Sequence, residues 1–286
     1  MTILIFLLLA GSAFAGLKTD IEFAKAGDVT LTLDASIPDG PGPFPAVIIV
    51  HGGSWRNGNK QMFVKPLFEP LTNAGFAWFT INYRLAPAYH FPAPVADVQN
   101  AIRYVQSHAR EYKVDLKRLA LTGESAGGHL VSFVGARDGA KLQLRAVIPF
   151  YAPVDLEALV TGPDKTDPPV QALQALLNRN AWKLLFKIVF DFTESDAGAI
   201  WRLREATPVK YVKKGMPPFL LIHGTKDPLV PFRQATLMRD KIKQAGSSCE
   251  LFPVEGGAHG VGNWERNPAL QQYKVKMVEW LKQTMR

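Results

Sequence analysis

Ser125 lies in the stretch Thr122-Gly-Glu-Ser-Ala-Gly-Gly-His129, with Gly123 and Gly127 two residues away on either side. A serine hydroxyl becomes a useful nucleophile only when a base takes its proton and an acid orients that base. The surroundings suit exposure of such a hydroxyl. The apolar run Leu119 to Leu121 precedes it and the helix-compatible Leu130, Val131, Phe133 and Val134 follow, so Ser125 is expected on a sharp strand-to-helix turn. Small neighbours let that turn close and let a substrate reach the hydroxyl. The N–H of Ala126 would then point at the attacked carbonyl from the positive end of the helix.

Six histidines compete for the role of base. His259 is favoured, because Gly256, Gly257 and Gly260 around it let the chain bend and bring the ring back over the serine. His108 and His129 fall within helical patterns and read as packing or surface residues, while His51 and His223 end apolar runs and read as loop-shaping. For the acid, Asp227 follows the run Phe219 to Ile222 and stands between Ser125 and His259 in the chain, giving the order serine, acid, histidine. Glu255 is nearer to His259 in sequence, and a structural turn role is the plain alternative for Asp227. A second source of oxyanion donors is the stretch His51-Gly-Gly-Ser-Trp55 after the run Ala46 to Val50. Its Gly53 and Ser54 amides would join that of Ala126, the plain alternative being an ordinary glycine turn.

Positioning these groups requires strands that end on a common edge. Val29 to Leu33 alternates as a half-buried strand. Ala46 to Val50, Ala77 to Ile81, Leu119 to Leu121, Ala146 to Phe150, Phe219 to Ile222 and Glu250 to Val254 are short continuous apolar runs, as expected of strands buried on both faces. Helical spacing recurs over Pro94 to Tyr112, Gln234 to Gln244 and Leu270 to Met285. Alternation of this kind predicts an α/β fold with a mostly parallel sheet and chemistry at the carboxyl ends of its strands. The interval from about Leu156 to Thr207 breaks the rhythm. Its Pro- and Asp-rich loop (Gly162 to Pro169) and its apolar residues, Trp182, Phe186, Phe190, Phe192 and Trp201 among them, predict a helical cap insertion, with one more core layer as the plain alternative.

The chain has 286 residues and a net charge of +8, with Lys and Arg interspersed among Asp and Glu, and no nucleic-acid partner is expected from that pattern. A single cysteine, Cys249, excludes an intramolecular disulfide and a multi-thiolate zinc site, and its apolar neighbours predict a buried, inert thiol. Residues 1–15 combine a short apolar run, Ile3 to Ala10, with Ala13-Phe-Ala15, and read as a signal peptide removed after Ala15, although no Lys or Arg precedes the run; an uncleaved N-terminal strand or anchor is the alternative. Secretion or periplasmic export of a single domain, residues 16–286, follows, with no membrane span in the mature chain.

Taken together, Ser125, Asp227, His259 and the two loops resemble the α/β-hydrolase family. More narrowly, His51–Trp55, Asn82-Tyr-Arg-Leu-Ala-Pro87, Phe91-Pro-Ala-Pro-Val-Ala-Asp97 and Gly123–His129 look like carboxylesterases grouped with hormone-sensitive lipase and with bacterial acetylxylan or feruloyl esterases. That resemblance implies an eight-stranded sheet, no metal or organic cofactor, a supporting role for Asp97 near the site, and hydrolysis of carboxylic esters. Many relatives have a third glycine where this chain has Ser54, and a positive φ is less comfortable for serine. The expected substrate is a small-molecule ester or a polysaccharide-linked acetyl or feruloyl ester. A serine peptidase on the same fold and a catalytically silent binding relative are the alternatives.

Overall fold

The computed structural model describes residues 16–161, 169–191 and 198–286. In chain order the elements are β1 (Leu17–Ala26), β2 (Val29–Ser36), β3 (Phe44–Val50), α1 (Phe68–Asn73), β4 (Ala77–Ile81), α2 (Ala93–Ser107), β5 (Val114–Glu124), α3 (Ala126–Asp138) and β6 (Ala146–Phe150). There follow α4 (Leu156–Thr161), α5 (Pro169–Phe190), α6 (Ala199–Glu205), β7 (Phe219–Gly224), α7 (Arg233–Gln244), β8 (Cys249–Val254), α8 (Val261–Trp264) and α9 (Gln272–Thr284). One eight-stranded sheet runs in the order β1-β2-β4-β3-β5-β6-β7-β8. The β1/β2 and β2/β4 pairs are antiparallel and the remaining pairs parallel.

The continuous apolar runs are explained by burial on two faces. In β3, Ala46, Ile48 and Val50 enter one core cluster while Val47 and Ile49 enter the other. A side-chain period of two in a sheet covered on both sides demands an apolar residue at every position. Helix α2 covers the first face with Val95, Val98, Ile102 and Val105, and α9 covers the second with Tyr273, Met277 and Leu281.

Several elements differ from expectation: α1 and α8 were not anticipated, and β5 runs from Val114 to Glu124 rather than Leu119 to Leu121. Strand β1 was not anticipated, because it is an edge strand exposed along most of its length and carries little hydrophobic pattern. Helix α2 stops at Ser107, short of Tyr112, where the His108 ring folds back over Tyr104 at 4.1 Å and its Nδ1 meets the Tyr104 carbonyl. Strand β8 lies at the opposite edge and is only half-buried, unlike the two-sided burial expected of Glu250 to Val254. Cys249 at its start is likewise half-buried, and burial pushes its thiol up to about 12, which keeps it protonated and inert. Of the interval 156–207, the described parts are the helices α4, α5 and α6. Residues 1–15, most of the loop predicted at Gly162 to Pro169, and Phe192 lie outside the described residues.

Buried polar groups brace the sheet edge where the parallel strands end. Asp97 on α2 is fully buried and accepts the Arg84 backbone N–H at 2.9 Å, Arg84 Nε at 2.9 Å and Arg84 Nη2 at 2.7 Å. This ties the loop after β4 to α2. Removing one partner of such a pair strands the other, so Asp97→Asn is expected to cost about 3 kcal/mol, a fall in Tm on the order of 10 °C by calorimetry.

His51 is 1% exposed and His129 0% exposed. Burial lowers both imidazoles to about 4, and their hydrogen bonds to the Gly52 and Ala206 carbonyls only partly oppose it. The unfolded chain takes up these two protons near pH 6.5, whereas the folded chain refuses them until about pH 4. Stability is therefore fully present above pH 6.5 and falls as pH drops, by up to about 1.4 kcal/mol per pH unit for each ring. Urea titrations should show a midpoint that declines between pH 6.5 and 4.5; a flat midpoint over that window would contradict the burial.

Candidate active site

Ser125 is the single residue between β5 and α3, at φ 53° and ψ −116°, a conformation that costs on the order of 1–3 kcal/mol for a residue with a side chain. Its N–H donates to the Phe150 carbonyl at 3.0 Å and its own carbonyl accepts the His129 N–H at 2.9 Å, so the turn is held from both sides. The flanking glycines are explained by close approach. A Cβ on Gly127 would sit 2.2 Å from the Val50 carbonyl oxygen and 2.4 Å from that of His51; one on Gly123 would sit 2.6 Å from the Gly127 carbonyl oxygen. Helix α3 thus presses its first turn against the end of β3, and no side chain fits between.

His259 Nε2 lies 2.9 Å from Ser125 Oγ, and His259 Nδ1 lies 2.7 Å from Asp227 Oδ2. The ring is packed edge-on against Tyr151 at 4.6 Å, and the Tyr151 hydroxyl accepts the Val261 N–H at 2.8 Å. The His259 carbonyl accepts from Asn263 Nδ2 at 2.6 Å, so both side chain and backbone of this loop are held. Asp227 is fully buried at its side chain. Its Oδ1 accepts the Leu229 and Val230 N–H groups, both at 2.9 Å, and Oδ2 also faces His223 Nε2 at 3.4 Å. Desolvation pushes its carboxyl upward, but donation from His223 and His259 outweighs that and holds it well below the usual carboxylate range. An ionised carboxylate fixed on Nδ1 leaves Nε2 as the proton acceptor facing the serine. Asp227 is a turn aspartate as well, since Oδ1 caps the following residues while Oδ2 serves the histidine. Glu255, the alternative acid, instead accepts from Thr225 Oγ1 at 3.2 Å on the surface.

The loop after β3 approaches the same point. Gly53, Ser54 and Trp55 all adopt positive φ (97°, 57° and 58°), and the Gly53 carbonyl accepts the Arg56 and Asn57 N–H groups. Ser54 takes the left-handed conformation that glycine would adopt more cheaply, with its side chain exposed. Ala126 is the first residue of α3, so its N–H has no intrahelical acceptor. The loop is secured by Trp55, whose Nε1 donates to His129 Nδ1 at 3.3 Å, while His129 Nε2 donates to the Ala206 carbonyl at 2.7 Å. The neutral His129 ring therefore links the loop to the chain returning from α6. Trp55 also packs against Phe186 and Trp182 of α5, at 6.1 and 6.5 Å between ring centres.

The structure brings Ser125, Asp227 and His259 into one hydrogen-bonded line and sets Gly53, Ser54 and Ala126 on the two backbone segments that meet at α3. Several supporting residues escaped the sequence reading. Tyr151 sits where β6 ends, so attention to the residues closing each apolar run would have found it, and His223, read as loop-shaping, also faces the Asp227 carboxylate. His129 has a more defined part than packing alone, but only the fold reveals its Trp55 partner. Glu124 is buried beneath Gly52, where a Cβ would lie 1.9 Å from its Oε1. Desolvation raises its carboxyl, with Tyr151 and His259 opposing. Among the described residues, no group of three or more His, Cys, Asp or Glu side chains could hold a metal ion, and no helix is long and apolar enough to cross a membrane.

Residues 33–242 match the BD-FAE family model, a span that includes Ser125 and Asp227 and stops short of His259. The chain is 31% identical over 221 residues to the probable carboxylic ester hydrolase LipM of Mycobacterium tuberculosis, covering 74% of this chain and 48% of LipM. It spans about half the length of the curated relatives it matches. A truncated carbohydrate esterase from gut microbiota superposes with a TM-score of 0.73 at 27% identity, covering 95% of this chain and 96% of that one. Esterase 2 of Thermogutta terrifontis, phosphorylated by paraoxon, superposes with a TM-score of 0.69 at 26% identity, covering 94% of each chain. With its mostly parallel eight-stranded sheet and a family match over most of its length, the chain belongs to the BD-FAE family of α/β hydrolases.

Proposed function

We propose that this chain is a serine carboxylesterase that hydrolyses short-chain carboxylic esters through an acyl-enzyme intermediate. The observation that carries this reading is the line from Asp227 through His259 to Ser125, with 2.7 and 2.9 Å between successive partners. Ser125 Oγ attacks the ester carbonyl as His259 Nε2 takes its proton. Asp227 holds the ring and stabilises the imidazolium, and the N–H groups of Gly53, Ser54 and Ala126 stabilise the oxyanion. His259 then protonates the departing alcohol. In the second half, His259 activates a water that attacks the acyl-enzyme, and the acid leaves as Ser125 recovers its proton.

Relatives named as carboxylic ester hydrolases and a structural neighbour phosphorylated by paraoxon support an esterase with a reactive serine. Acetyl or feruloyl groups on plant polysaccharide are the proposed natural esters, supported by the neighbour named as a carbohydrate esterase. Residues 1–15, read as an export signal, would deliver the domain to such a substrate outside the cytoplasm.

By the measure of other serine triads, Ser125→Ala and His259→Ala should each lower kcat on the order of a millionfold, and Asp227→Asn about ten-thousandfold. Steady-state kinetics on one soluble ester checks all three; near-parent activity in any of them removes that residue from its role. Hydrolysis of p-nitrophenyl esters from acetate to laurate should peak at the short chains. Cleavage of matched amides without ester turnover would favour a peptidase instead, and turnover of neither a silent relative.

A further inference from the structure

Charges that are interspersed along the sequence gather in space at the end of the sheet opposite Ser125. Ser125 lies just past the carboxyl end of β5; Leu119, six residues earlier, is already roughly 20 Å away at about 3.3 Å per residue, and Leu116 and Lys117 lie beyond it near the strand's start. Around that start lies a groove of about 760 Å3 lined by Asp115, Leu116, Lys117, Arg118, Arg145 and Arg286, among others. A second hollow adjoins it, sharing Leu116 and adding Arg110 and Lys113. The acids nearby are largely engaged: Asp115 pairs with Arg118 at 2.8 Å and Glu111 with Lys18 at 3.6 Å. Asp39, next to the Gly40 whose carbonyl meets Lys113, adds one more negative charge near the cations of this face.

Apolar groups accompany the charge. Leu116 is 37% exposed and Leu17 46% exposed, although both are large aliphatic side chains. Leu17 pairs with Ser36 and Lys18 lies over the Tyr112 ring, which places the start of β1 at this same end. A Cβ on Gly16 would meet the Ile37 carbonyl oxygen at 2.9 Å, three residues before Gly40, whose carbonyl accepts from Lys113 Nζ at 2.7 Å. Gly16 and Leu17, the first described residues, therefore lie beside the cationic groove.

We propose that this face docks on the surface of an anionic lipid bilayer, with Arg110, Lys113, Lys117, Arg145 and Arg286 toward the headgroups and Leu17 and Leu116 at the acyl boundary. Cationic residues flanking apolar ones are the composition that holds a protein at an anionic interface, where each Lys or Arg adds about fivefold in partitioning. In this orientation Ser125 and the loops around it face away from the bilayer, open to soluble or polysaccharide-linked ester.

Co-sedimentation of the full chain with phosphatidylglycerol-containing and pure phosphatidylcholine vesicles, at low and high salt, tests this directly. The expected result is preference for the anionic vesicles, weakened by salt, and reduced by at least about a hundredfold in the triple variant Arg110→Glu, Lys117→Glu, Arg286→Glu, since three lost cations alone cost that much. Turnover of a soluble p-nitrophenyl ester by that variant should match the parent, which separates a lost surface from a lost fold. Equal binding to both vesicles, binding untouched by charge reversal, or no binding at all would overturn the proposal. Tighter retention by an acidic polysaccharide than by anionic vesicles would overturn it too, marking a polyanion site instead.

Discussion

Everything at the candidate site depends on how closely the first turn of α3 approaches the end of β3. With glycine at position 127, the helix backbone packs directly on the Val50 and His51 carbonyls, and that contact leaves Ser125 on a strained single-residue turn. The strain places the hydroxyl outside the sheet edge rather than within it. The same contact brings the N–H of Ala126 alongside the loop that starts at His51. Ser125 and the segments carrying the Gly53, Ser54 and Ala126 N–H groups are thereby set relative to each other by backbone, before any side chain is involved.

Side chains then hold what the backbone has placed. Asp227 uses one oxygen to close its own turn and the other to orient His259, so a single buried carboxylate supports both the loop and the ring. Trp55, His129 and the Ala206 carbonyl form a second chain of hydrogen bonds, joining the loop after β3 to the segment that returns from the cap helices. Arg84 and Asp97 form a third brace at the same edge. A site built this way is braced from three sides, and on the proposed mechanism such preorganisation would stabilise an oxyanion without reorganisation during reaction.

Much of this was legible because the sheet is buried on both faces. Ala77 to Ile81 and Ala146 to Phe150 were bounded to the residue, since a two-sided core demands an unbroken apolar run and turn residues end it. The order Ser125, Asp227, His259 was readable because each follows one of these runs. Less was legible at the edges: β1 exposes most of its side chains and carries little pattern, and β8, read as a strand from Glu250 to Val254, is half-buried rather than covered on both faces. His129 and Tyr151 could not be given partners, because those partners lie 74 and 110 residues away and meet them only through the fold. The cationic face was hidden for the same reason, its residues drawn from segments around Arg110 to Arg118, Arg145 and the C-terminus.

The central claim is that Ser125, activated by His259 and Asp227, is the reactive nucleophile. Treating the folded chain with paraoxon, which phosphorylates a structural neighbour, and mapping the modified peptide by mass spectrometry tests it most directly. The account predicts one phosphoryl adduct, carried by Ser125, formed in step with loss of ester turnover and absent from Ser125→Ala. An adduct on another residue, or full turnover after stoichiometric labelling of Ser125, would contradict it.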